Sequence, residues 1–104
     1  MPRRRITLEW TVAAELHLEE IRATIARNSP RNAERFIARI KKVVQNLKRF
    51  PESGEVLQYR EGERLREIYL GSYRIIFRVR ENSVRIIAVI HAARDFHLFE
   101  ENDA

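Results

Sequence analysis

The sequence predicts an α+β domain in the order β-α-α-β-β-β, with an N-terminal helical hairpin packed on one face of a small, antiparallel-rich sheet. Three observations carry this. Residues 11–50 hold two runs of apolar side chains at alternating spacings of three and four. Residues 65–96, LREIYLGSYRIIFRVRENSVRIIAVIHAARDF, read as three strands in tandem joined by short polar turns. A short alternating segment precedes the helices.

That first segment sets Ile6, Leu8 and Trp10 against Thr7 and Glu9, a strand with one apolar face. Thr11 follows as a helix N-cap. Ala14, Leu18, Ile21 and Ile25 then fall on one side of a helix, with Glu15, Glu19 and Arg22 outside. Asn28-Ser29-Pro30 ends this helix and begins another, with Ser29 as cap and Pro30 at the first helical position, where its missing N–H costs nothing. In the second helix Ala33, Ile37, Ile40, Val44 and Leu47 repeat at four and three, widened by Phe36, Val43 and Phe50. It stops at Phe50-Pro51, because the residue before proline is steered away from the α region.

Residues 52–63 are polar, contain Gly54 and Gly62, and read as a loop with a short extended piece near Val56–Tyr59. Gly71-Ser72 suits a two-residue hairpin turn with glycine first. Strict alternation puts Tyr73, Ile75, Phe77 and Val79 on one face of the middle strand and Arg74, Ile76, Arg78 and Arg80 on the other. In the last strand it sets Val84, Ile86, Ala88 and Ile90 against Arg85, Ile87, Val89 and His91. The fully apolar faces are expected to pack on the helices.

The 104 residues form one domain, 1–104, with 44% apolar content, enough for a core. With no cysteine there is neither a disulfide framework nor a thiolate site. No apolar run approaches the ~18 residues of a membrane span, so a cytoplasmic setting is expected. The net charge of +5 points to an acidic partner. It is uneven: residues 1–50 hold 12 Lys or Arg against 5 Asp or Glu, and residues 51–104 hold 8 against 10.

Three features could carry function. On the sheet face away from the helices, Arg74, Arg78, Arg80 and Arg85 surround Ile76, Ile87 and Val89. An apolar middle with a basic rim suits a bound partner; the alternative is a C-terminal tail that folds back with Phe96, Leu98 and Phe99. On the second helix Arg31, Arg35, Arg39, Lys42 and Arg49 form one stripe, and Glu34 is that helix's only acid. This is either a solvated face or a nucleic-acid contact, and it has no aromatics to stack bases. At the end of the last strand His91, Arg94, Asp95 and His97 cluster. Histidine and arginine could serve acid–base chemistry on RNA, or the cluster is structural, with Arg94–Asp95 as an ion pair. No cofactor or metal is implied by any ligand spacing, and no phosphate loop or nucleophile motif occurs.

In order along the chain, Ala33 and Phe36, Leu47, Phe50-Pro51 and Gly54, then Leu65-Arg66-Glu67, Tyr73-Arg74-Ile75-Ile76-Phe77-Arg78-Val79, and Val84 to His91 followed by Ala93-Arg94-Asp95, resemble the ParE/RelE superfamily. These are toxins of type II toxin–antitoxin modules, often labelled plasmid stabilisation proteins. The H-x-x-R-D ending resembles the ParE-like branch. The resemblance implies a toxin that inhibits DNA gyrase by binding and is neutralised by a cognate antitoxin with an acidic C-terminal segment, as a toxin homodimer or a heterotetramer with antitoxin. The implied antitoxin surface comprises Arg66, Arg74, Ile76, Arg78, Arg80, Arg85, Ile87 and Val89. The alternative is a RelE-like mRNA endonuclease acting on the ribosome, for which Arg74, His91, Arg94 and His97 are the candidate catalytic residues. Leu65 and Glu67 stand where those nucleases tend to carry lysines, Ala92 where they carry an arginine, and no tyrosine follows. These departures favour the ParE-like, non-enzymatic reading.

Overall fold

The computed structural model describes residues 5–57 and 65–96. Strand β1 (Thr7–Trp10) leads into helix α1 (Val12–Ala26) and helix α2 (Pro30–Asn46). Strands β2 (Glu55–Leu57), β3 (Leu65–Leu70), β4 (Tyr73–Val79) and β5 (Ser83–His91) follow. The five strands lie in the order β1-β5-β4-β3-β2. β1 runs parallel to β5, and the other pairs are antiparallel. The short β2 is one strand more than the expected order, realising the extended piece of the loop.

Both caps form as the sequence predicts. The Thr11 hydroxyl accepts from the Ala14 N–H at 3.0 Å and the Ser29 hydroxyl from the Asn32 N–H at 3.1 Å. α2 ends at Asn46, short of Phe50-Pro51, and tightening turns carry the chain onward: the Arg49 and Phe50 N–H groups both donate to the Asn46 carbonyl. Glu34 of α2 meets Arg22 of α1 across the hairpin. That exposed pair holds the Glu34 carboxyl below its ordinary range and raises Arg22.

The main core lies between the helices and the sheet. Ala14, Leu18, Ile21, Ile37, Ile40, Val44 and Leu47 pack on Ile75, Phe77, Val84, Ile86 and Val89. Burying side chains of this size stabilises the fold by roughly 1.5–3 kcal/mol each before entropy is counted. A second, smaller cluster lies on the far side of the sheet: Leu65, Ile76, Ile87, Ala88 and Ile90, with Leu57 and Phe96 against it.

The division differs from strict alternation because of a β-bulge. Ile76 pairs with Ala88, but Phe77 pairs with Ile86, leaving Ile87 as the extra residue. Past the bulge the faces exchange. Ala88 and Ile90, expected under the helices, join Ile76 on the far side. Val89, expected on the far side, enters the helix-side core.

Two glycines have positive φ. At Gly71 (φ 59°) the hairpin turns above Phe36. At Gly54 (φ 81°) an added Cβ would lie 2.4 Å from the Glu67 carbonyl oxygen, so only glycine fits.

Candidate partner-binding site

The far face is built row by row from the register. Glu9 of β1 lies beside Arg85 of β5, Arg85 opposite Arg78 of β4, and Arg78 opposite Leu65 of β3. One step along, Glu67, Ile76 and Ala88 lie abreast, then Tyr69, Arg74 and Ile90. An apolar centre thus has arginines at both ends. Placing Arg78 directly opposite Arg85 sets like charges across a strand pair, which is destabilising in isolation.

Their surroundings make this unusual. Arg78 is only 4% exposed. Arg74 and Glu67 form an ion pair at 2.8 Å with side chains 11% and 12% exposed, and Arg74 also donates to the Arg94 carbonyl. Arg85 is half-exposed, with its Nε 3.7 Å from a Glu9 carboxylate oxygen, outside hydrogen-bond reach. The Nε atoms of Arg74 and Arg85 are buried and make no hydrogen bond. A buried donor without an acceptor costs about 1–3 kcal/mol, so incoming carboxylates would gain from meeting these groups.

Of the residues expected on this surface, Arg74, Ile76, Arg78, Arg85 and Ile87 share it. Ile76 and Ile87 are buried rather than open, with Phe96 packed against their cluster, so part of the expected tail cover is present. Leu98 and Phe99 lie outside the described residues. Two assignments are corrected. Val89 sits under the helices because of the bulge. Arg66 pairs with Phe77 and so alternates onto the helix side, where its guanidinium donates to the carbonyls of Glu52 and Gly54 at 2.9 and 3.3 Å. Arg80 lies beyond the end of β4, exposed in the turn to β5. Sequence reasoning missed Glu9 and Glu67 as counter-ions, though their even spacing from Thr7 and Leu65 puts them on this face.

Among the described residues, the candidate nuclease residues Arg74, His91 and Arg94 meet only through backbone carbonyls: Arg74 donates to the Arg94 carbonyl and the Arg94 N–H to the His91 carbonyl. Arg74 points to the far face. His91 is paired opposite Tyr73 and meets its ring edge-on at 5.5 Å, on the helix side. Its Nδ1 accepts from the Ala93 N–H, and the Arg94 N–H donates to the His91 carbonyl. The H-x-x-R-D segment is therefore a turn that closes β5. His97 lies outside the described residues. No group of three His, Cys, Asp or Glu able to hold a metal occurs among the described residues, and no helix of theirs is long and apolar enough to cross a membrane.

His17 was not singled out by the sequence. From α1 its Nδ1 accepts the Val89 N–H at 3.2 Å, while the Thr11 hydroxyl donates to the Ile87 carbonyl at 3.1 Å. β1 pairs with β5 only as far as Ile86. The two side chains satisfy the edge of β5 that β1 leaves open. Burial pushes the His17 pKa down; Glu20 opposes the shift and Arg94 adds to it.

A helical hairpin packs on one face of a mixed five-stranded sheet, and arginines frame an apolar cluster on the other, the α+β layout of a small two-layer domain. The sequence profile of the ParE toxin of the type II toxin–antitoxin system parDE matches residues 8–96. The chain belongs to this toxin family. It is 36% identical over 94 residues to the protein named "Putative toxin Y4kP" of Sinorhizobium fredii, covering 88% of this chain and 92% of that one. Its fold is similar to the chromosomal ParDE toxin–antitoxin system from P. aeruginosa, with a TM-score of 0.70, 20% identity, and coverage of 84% of this chain and 96% of that one. The RelBE2 toxin–antitoxin complex of Mycobacterium tuberculosis is also similar, with a TM-score of 0.63, 24% identity, and coverage of 84% and 98%.

Proposed function

We propose that this toxin acts by binding, with DNA gyrase as its target, and that an antitoxin neutralises it by laying an acidic, partly apolar segment on the far face of the sheet. The observation that carries the antitoxin reading is the face itself. Arg74, Arg78 and Arg85 frame Leu65, Ile76, Ala88 and Ile90, and the Nε atoms of Arg74 and Arg85 lack acceptors. Apolar side chains of a partner segment would extend the cluster while its carboxylates reach the guanidinium groups. The binding-only mode is supported by the separation of Arg74 from His91 across the sheet and by the engagement of Arg74 with Glu67 and the Arg94 carbonyl. General acid–base cleavage of RNA needs such groups free and convergent.

A supercoiling assay with purified gyrase tests the target. Inhibition is expected as toxin is added, with relief when the module's antitoxin is supplied. Full supercoiling at saturating toxin would remove gyrase from the proposal, and cleavage of translated mRNA would replace it with the nuclease.

A further inference from the structure

The outer side of α2 takes no part in the sheet face or the core. Arg31, Arg35, Arg39 and Lys42 lie along it, all exposed, and Arg49 continues the line beyond the helix. Within the helix successive members are three or four residues apart, so their Cα atoms rise by roughly 4.5–6 Å per step, and Arg49 follows Lys42 by seven residues. Lys41 and Lys48 flank the line, also exposed. The helix's single carboxylate, Glu34, is taken by Arg22 of α1. Among the described residues no acid pairs with the stripe. Arg39 and Arg49 lie over Phe36 and Phe50 with guanidinium carbons 5.9 and 5.5 Å from the ring centroids, within cation–π reach.

A row of like charges at helical spacing costs a few tenths of a kcal/mol per neighbouring pair. Its complement is a regular line of anions. An acidic protein segment fits poorly, because a protein interface needs an apolar centre. Among the described residues, the exposed apolar ones nearest these cations are Ala38 within the line and Phe50 at its far end beside Arg49, too far apart to make one apolar centre; the exposed Val12 and Leu16 lie on α1. A lipid surface fits poorly too, since the apolar side of α2 is buried in the core. Single-stranded nucleic acid would need free aromatic faces for its bases, whereas Phe36 and Phe50 already lie under Arg39 and Arg49. The stripe offers donors and no free carboxylate to receive 2′-hydroxyl protons, which leaves the phosphate line of a DNA duplex. We infer that the outer face of α2 binds the phosphate backbone of duplex DNA without regard to sequence. This surface is separate from the sheet face and its reading does not depend on the target proposed above.

The test is fluorescence anisotropy of a labelled mixed-sequence DNA duplex titrated with the purified chain at several salt concentrations. Four phosphate contacts predict that affinity falls roughly 100-fold between 50 and 200 mM salt. The triple variant Arg31→Gln/Arg35→Gln/Lys42→Gln should weaken binding at 50 mM salt about tenfold or more and flatten the salt dependence to that of about one contact. Arg35→Lys, which keeps the charge, should bind as the parent does. Circular dichroism melts establish that each variant is folded, and all three positions are exposed. Binding by the triple variant equal to that of the parent would overturn the inference, as would no binding by the parent at 50 mM salt. Tighter binding of a duplex RNA or a single strand of the same sequence would overturn the choice of duplex DNA.

Discussion

His17 shows what a single residue does in this molecule. It is a partly buried acceptor for the Val89 N–H, so it works only while Nδ1 is unprotonated. Its folded pKa lies below the ordinary 6.5, first because of burial, with Arg94 adding and Glu20 opposing. The unfolded chain therefore takes up the proton more readily than the folded one. Stability attributable to this group is retained above about pH 6.5 and declines as the pH falls from there through the lower folded value. Thermal melts at pH 7.5 and 5.5 should show a loss of stability on acidification that His17→Ala lessens. An unchanged pH dependence in that variant would contradict the assignment. Nothing in the sequence flagged this role, because it depends on where β1 stops along β5.

At the level of elements, the helices were legible and the sheet only in part. The stripes of α1 and α2 and the caps Thr11 and Ser29 follow from spacing and hydrogen-bond chemistry that act within a few residues. The Gly71-Ser72 turn was legible for the same reason. The bulge at Ile87 was not, since Ile86-Ile87-Ala88-Val89-Ile90 is apolar throughout and gives alternation no phase to lock onto. Arg66 was expected on the partner surface with no alternation phase for β3 behind it, and β2 was hidden by its length of three residues. Thr11 links the legible and the hidden parts. It caps α1 and also holds the Ile87 carbonyl. Thr11→Ala should destabilise the protein by roughly 1–3 kcal/mol, the sum of a lost cap and a lost buried hydrogen bond. Thr11→Ser should recover most of that. Urea denaturation measures both, and a loss below about 0.5 kcal/mol would show that water replaces the hydroxyl at both positions.

For the whole molecule, two proposed surfaces divide the work, a sheet face for a carboxylate-bearing partner and a helix face for phosphates, and the core lies between them. If an acidic antitoxin segment lies on the sheet, Arg85→Ala should weaken that complex by roughly 2–5 kcal/mol, since a desolvated carboxylate would lose its cation. Isothermal titration of the toxin with antitoxin reads this directly. An unchanged affinity would move the antitoxin to another surface. The family and the general layout were visible in the ordered motifs, whereas the arrangement of charge on the face was not, because Glu9 and Glu67 reach it from two different strands.

The extra residue in β5 has an evolutionary consequence. By exchanging the sides on which Ala88, Val89 and Ile90 appear, it places Val89 among the positions that hold the hairpin and Ala88 and Ile90 in the cluster beyond the sheet. If an antitoxin lies on that cluster, as proposed, Ile76, Ala88 and Ile90 are the positions that can drift with a changing ally while Val89 and Phe77 keep the scaffold intact. Deleting Ile87 would leave Ile86, Ala88, Val89 and Ile90 on the faces they now occupy and would take only one apolar side chain from the outer layer.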